Sequence, residues 1–202
     1  MKDSLNNWLS SDGNNTYVVN HPLNESSIVI ELGGYDGTWV SKIQNKYNSN
    51  IFVFEPVNNF YLSLINKFKD NNKIKIYNVG VSTEDKTDTI MVMNDATSRY
   101  ITNGSPEKIT LRSLTNILKQ IPHDMIDIIQ INIEGEEYPL LDHMLSNDNL
   151  INKFKRIQIQ FHEWIEDSIN KRNKIRESLI DKGFVEVYNF DFVFECWENT
   201  KS

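Results

Sequence analysis

Four apolar runs in this chain end in groups that could do chemistry. The first, Ser27 to Leu32, contains Glu31 and is followed at once by Gly33 and Gly34, with Gly37 just beyond. The second, Ile51 to Phe54, ends in Glu55, and two later runs end in Glu134 and in His162–Glu163. Glycine costs backbone entropy and gives a core no side chain, so this turn needs a reason. Either it is sterically tight or a ligand lies on the main chain, and the glycines alone leave both open. Glu55 favours the ligand. An acid about 20 residues after such a turn, at the tip of the adjacent strand, can accept from both hydroxyls of a ribose. The full G-x-G-x-x-G pattern that cradles a pyrophosphate is missing, and Asp36 stands where a phosphate would approach. A ligand with a ribose, no phosphate and an amino group for an acid to hold fits better, and S-adenosylmethionine has these properties.

The elements that must position these groups alternate. Ser27–Leu32, Ile51–Glu55, Lys73–Val81, Met125–Ile133 and Arg156–Phe161 read as strands. Between and after them, Thr38–Tyr47, Val57–Phe68, Thr110–Lys119, Glu136–Leu145 and Ile165–Asp181 read as helices. Short joints between alternating strands and helices predict an α/β fold with a parallel sheet. Phe184–Tyr188 and Phe192–Trp197 are joined by too few residues for a helical crossover, so they pair antiparallel. Residues 82–109 read as a long irregular segment, with Thr89–Met93 as an added strand; 94–105 reads either as a loop over the acceptor, where Arg99 and Tyr100 could grip a sugar or its phosphate, or equally as a mobile surface loop. Residues 1–26 are polar and form an N-terminal arm or lid, and residues 27–202 form the main domain. Trp8 and Tyr17 in that arm serve as a lid, as a contact in a homodimer, or in simple packing, the last being preferred.

A net charge of −7 argues against a nucleic-acid partner, whose binding rests on clustered Lys and Arg. No apolar stretch is long enough for a membrane span, and the start of the chain lacks a signal-type apolar segment. With the lone Cys196, this points to a cytoplasmic, reducing setting. The glycosylation-type triplets at Asn14, Asn24 and Asn103 are coincidental in so Asn-rich a chain.

The runs VIELGGYDGTW, FVFEP, NVGVS, TLRSL, INIEGEE and QFHEW, in this order from Ser27 to Trp164, resemble the FkbM-type methyltransferases. The resemblance implies a Rossmann-like class I methyltransferase fold. That is a seven-stranded, mostly parallel sheet with helices on both faces and the C-terminal hairpin as its antiparallel edge. It implies S-adenosylmethionine-dependent methylation of a hydroxyl, often on a sugar or polyketide. By the same resemblance Glu31 helps hold the methionine part, and Gly33, Gly34 and Gly37 form the cofactor turn with Asp36. Glu55 binds ribose, and Asn78 and Val79 lie near the adenine. The chain departs from the family at Asn132, where Asp is common, and at Glu136, where a small residue is usual.

Methyl transfer to a hydroxyl needs an aligned nucleophile and a route for its proton. Gln130, Asn132 and Glu134 alternate onto one strand face, as do Gln158, Gln160 and His162, so neighbouring strands would end in a carboxylate and an imidazole. Mutually bonded amides with a merely capping histidine are the preferred reading for His162 taken alone, and Glu134 with the glycine turn tips the balance to function. His162 is a candidate general base, since an imidazole titrates near neutrality, with Glu134 and Glu163 beside it. The alternative is a divalent metal on Glu134, His162 and Glu163, which resembles the strand-tip acids of catechol-type methyltransferases. The acceptor class is a small molecule or glycan. Competing readings are a nicotinamide-dinucleotide-binding protein and a non-catalytic S-adenosylmethionine-binding module.

Overall fold

The computed structural model of the chain describes residues 2–93, 96–98 and 104–201. The first half contains α1 (Lys2–Ser10), a 3-10 turn at Tyr17–Val19, β1 (Ile28–Leu32), α2 (Thr38–Tyr47), β2 (Asn50–Phe54), α3 (Asn58–Phe68), β3 (Ile74–Tyr77), β4 (Gly80–Ser82), β5 (Lys86–Met93) and β6 (Ala96–Ser98). The second contains β7 (Ser105–Ser113), α4 (Leu114–Leu118), β8 (Ile128–Ile131), α5 (Glu137–Leu145), α6 (Asp148–Ile151), β9 (Arg156–Ile159), α7 (Ser168–Asp181), β10 (Phe184–Phe190) and β11 (Phe194–Asn199).

Seven strands form the main sheet in the order β10-β11-β9-β8-β1-β2-β3. Five of them run parallel, and β11 is antiparallel to both β9 and β10, as the short C-terminal joint requires. Each central strand is buried on both faces, so its run is nearly all apolar. Ile30, Leu32, Ile129, Ile131, Ile157 and Ile159 face a core closed by α4, α5, α6 and α7. Val29, Val53 and Ile128 face the opposite core, closed by α1, α2 and α3. The order reverses at β1, where β2 lies on one side and β8 on the other. Connections leave that point in opposite directions and open a crevice at the carboxyl ends of the strands.

The segment between β3 and α4 differs from its reading as irregular. It builds a second sheet in the order β4-β7-β5-β6. The predicted strand Lys73–Val81 breaks at Asn78–Val79, and its last part, β4, pairs with β7 instead. The predicted helix Thr110–Lys119 begins only at Leu114. Residues 109, 111 and 113 are buried in strand alternation, and the Ser113 side chain then accepts from the Asn116 backbone N–H, which sets the helix start. The 94–105 loop, with Arg99 and Tyr100, falls largely outside the described residues.

Residues 2–26 run across the α2 face of the sheet, from the hairpin, where Trp8 packs, past α2 to the Asn50 and Lys73 side. Trp8 is 2% exposed and meets Tyr17, Phe190 and Phe194 with ring centroids 5.1–6.0 Å apart. Trp39 Nε1 donates to the Val18 carbonyl at 2.7 Å, and the Tyr47 hydroxyl donates to that of Val19 at 2.8 Å. No helix among the described residues is long and apolar enough to cross a membrane.

Candidate active site

A cleft of about 920 Å3, counting its open mouth, lies at the carboxyl ends of β2, β1 and β8. One wall is the turn after β1, with Gly33 and Tyr35, and a second is the tip of β2, with Glu55, Pro56 and Val57. Asn132, Ile133, Glu134 and Glu136 follow from β8. The small sheet closes the cleft with Asp88, Ile90, Ile109 and Leu111, three of which form an apolar cluster with Val57. Phe60 packs on that cluster, and the Tyr35 ring meets it edge-on at 4.9 Å. The small sheet's share of this wall was missed from the sequence, where only the alternation of Ile109 and Leu111 could have signalled it.

The glycine turn is tight for reasons of packing. Gly33 has φ of +85°, and a Cβ there would stand 2.2 Å from the Asn132 carbonyl oxygen. Added Cβ atoms at Gly34 and Gly37 would run into Leu64 of α3 at 2.8 and 2.7 Å. Gly33 therefore lets the end of β8 approach the turn, while Gly34 and Gly37 seat α3. Of these glycines, Gly33 alone also lines the cleft. Asp36 is spent locally: its carboxylate accepts from the Thr38 amide at 2.8 Å and the Thr38 hydroxyl at 2.7 Å, at the start of α2. Partial burial works to raise its pKa, but these bonds outweigh it and hold the group below the usual value.

Glu55 is 4% exposed and bridges two walls. It accepts from the Tyr35 amide at 2.9 Å with one oxygen and from the Val57 amide at 2.8 Å with the other. Burial pushes its carboxyl up to about 7, against the pull of those amides. The Gly34 amide bears on the same carboxylate, and the lone-pair capacity left over can take a ligand. Asn78 donates to the Glu55 and Pro56 carbonyls at 3.1 Å each, which braces this tip. Val79 packs on the core, and the next residues, Gly80 and Val81, reach the cleft. Glu31 lies one layer below, beside Gln130 in the sheet. Burial, then the charges of Glu55 and Asp36, push its carboxyl well above the usual range, and its Oε2 finds no hydrogen-bond partner among the described residues. Asn132 Oδ1, on a cleft residue, is in the same position.

The two amide rows do run side by side, with Gln130 opposite Gln158. They hold each other: Gln158 Nε2 donates to Gln130 Oε1, and Gln158 Oε1 accepts from the Tyr188 hydroxyl at 2.7 Å and lies 3.0 Å from His21 Nε2. Burial lowers His21 to about 4, so its ring is neutral here. The Gln130–Gln158 pair therefore ties the N-terminal segment to the sheet, and it is the residues beyond the end of β8 that reach the cleft.

At those tips Glu134 has φ of +54°, a strained conformation for a residue with a side chain, and it lines the cleft. His162 Nε2 is 3.5 Å from Glu134 Oε1, and His162 Nδ1 is 2.9 Å from Oε1 of Glu137. Burial of His162 would lower its pKa, but the two carboxylates outweigh this and raise it to about 9. His162 is thus an imidazolium at neutral pH. The neutral general base expected from the sequence does not fit these surroundings, because the sequence could not show two acids flanking the ring. Glu163 is exposed, with its carbonyl capping Ser168 at 2.8 Å. The expected trio of Glu134, His162 and Glu163 does not converge, and among the described residues no three His, Cys, Asp or Glu groups form a metal-type cluster. Trp164, 46% exposed, flanks His162 with ring centroids 5.4 Å apart.

The same fold occurs in solved methyltransferase structures. Fibrillarin of Methanococcus jannaschii, a pre-rRNA processing protein, superimposes with a TM-score of 0.53 at 14% identity, over 90% of this chain and 70% of its own. An rRNA methylase from Streptococcus thermophilus gives 0.52 at 10% identity, over 92% and 93%. Aeropyrum pernix fibrillarin, solved with natively bound S-adenosyl-L-methionine, gives 0.51 at 11% identity, over 89% and 69%. Among curated proteins none matches by sequence. The family model described as "Methyltransferase FkbM domain" matches residues 31–190, from the acid of β1 through the hairpin strand β10. With the crevice at the β1 switch point and the acid-tipped strands around it, that span places the chain in the FkbM methyltransferase family.

Proposed function

We propose that the chain is an S-adenosylmethionine-dependent O-methyltransferase acting on a hydroxyl of a sugar, glycan or similar small acceptor. The observation that carries this reading is one cleft walled by Glu55 on one side and Glu134 on another. Glu55, with spare lone pairs, suits a ribose diol, and the apolar wall of Val57, Ile90, Ile109 and Leu111 suits a purine face. The unsatisfied oxygens of Glu31 and Asn132 fit a ligand bearing an ammonium group and other donors. When bound, S-adenosylmethionine supplies a methyl group on an activated sulfonium. The chain's task is then alignment and proton removal. Glu134 accepts the proton of the acceptor hydroxyl, and the His162 imidazolium orients that carboxylate. Trp164 offers an exposed ring beside the pair on which a sugar can stack. The charge of −7 disfavours RNA as the acceptor.

The test is a screen with methyl-labelled S-adenosylmethionine against mono- and oligosaccharides, with RNA alongside and calorimetry against NAD. Label on a sugar hydroxyl is the expected result. Label on RNA alone, or tight binding of NAD with no binding of the methyl donor, refutes the proposal.

A further inference from the structure

Glu137 is fully buried, yet it touches neither the cleft nor solvent. A buried carboxylate must have its lone pairs met, and here they are met by the site itself. Oε1 accepts from the His162 backbone amide at 2.9 Å and from His162 Nδ1 at 2.9 Å. Oε2 accepts from the Gly135 amide at 2.8 Å. One side chain at the start of α5 thus binds both the turn that carries Glu134 and the residue that faces it. The remaining freedom of His162 is removed from the other side, where the Tyr138 hydroxyl donates to the His162 carbonyl at 2.9 Å.

With Nδ1 committed to Glu137, the ring can present only Nε2 to Glu134, which lies 3.5 Å away. Gly135, the link between Glu134 and α5, has φ of +106°, so the turn is sharp and needs a fixed point. We infer that Glu137 is the positioning residue of the proposed methyl-transfer site: it fixes the ring orientation of His162 and the Gly135 turn, so that Glu134 is held at the cleft to take the acceptor's proton. The inference rests on the reading of Glu134 as proton acceptor. Glu137 itself touches no reacting atom.

The experiment uses the full chain with S-adenosylmethionine and an acceptor found by the screen. Glu137→Gln keeps the volume and one acceptor oxygen but cannot accept from Gly135 and from His162 together. Its kcat is expected to fall roughly 100-fold, the range for losing an aligned proton acceptor, while KM for the methyl donor stays within about threefold. Wild-type kcat in a folded Glu137→Gln overturns the inference. Should that variant not fold, the wild-type protein decides by nuclear magnetic resonance of its 15N-labelled histidines. A slowly exchanging, downfield Nδ1–H signal, assigned by its loss in His162→Gln, is expected, and its absence overturns the inference. Glu134→Gln separates the two readings. Full activity of Glu134→Gln defeats the proton-acceptor role and the positioning role with it, whereas loss in Glu134→Gln with none in Glu137→Gln defeats only the positioning role.

Discussion

Glu55 gives the sharpest prediction, because its environment couples cofactor binding to pH. Its carboxyl is buried among cleft residues, and burial raises it to about 7. A ribose diol donates hydrogen bonds, so it selects the ionised form, and the free protein must release a proton before binding when pH is below about 7. Affinity for S-adenosylmethionine or its demethylated product should therefore fall about tenfold per pH unit below that point. Between pH 8 and pH 5 the expected loss is ~100-fold, about 2.7 kcal/mol. The same shift acts on the unliganded fold with the opposite sense. A carboxyl that titrates near 7 folded and 4.5 unfolded holds its proton more tightly when folded. Its contribution to stability is full below pH 4.5 and is lost as pH rises to about 7, by about 3 kcal/mol in all. Isothermal calorimetry from pH 5 to 8 on the wild type and on Glu55→Gln measures the binding arm, and urea titration over the same range measures the stability arm. Glu55→Gln should bind weakly with a much flatter pH profile. A wild-type affinity that stays level from pH 5 to 8 would show that Glu55 does not hold the ligand through its ionised form, and the assignment of the β2 tip to the ribose would fall.

The remaining expectations concern the frame around this contact. His162, raised to about 9 in the fold from 6.5, stabilises fully below pH 6.5 and loses that support as pH climbs through about 9. About 3 kcal/mol should go across that window, and His162→Gln should flatten the loss in denaturant titrations. Gly33→Ala sets a Cβ 2.2 Å from the Asn132 carbonyl at positive φ, and should cost about 2–5 kcal/mol and much of the donor binding, both readable by urea titration and calorimetry. Trp8→Ala empties the aromatic cluster under α1 and should cost about 3–5 kcal/mol in thermal or urea unfolding, with the donor affinity of the folded fraction unchanged.

The main sheet was legible in the amino-acid order because parallel strands buried on both faces leave unbroken apolar runs, and amphipathic helices leave a period between them. The antiparallel hairpin followed from a joint too short for any other connection. The glycine turn after β1 and the buried Glu55 at the tip of β2 could be found for the same local reason: tight turns demand glycine, and strand tips carry the polar groups. Three things lay beyond the sequence. The small sheet was hidden because β4, β5 and β7 are set by pairing between distant residues, and the run at Thr110 reads equally well as a helix until Ser113 caps it. The amide rows had the right register, but their partner was His21, more than a hundred positions away. The character of His162 was decided only when folding set Glu134 and Glu137 on either side of it, since the charge state of a buried ring depends on what surrounds it in space, and the order of residues along the chain does not record that.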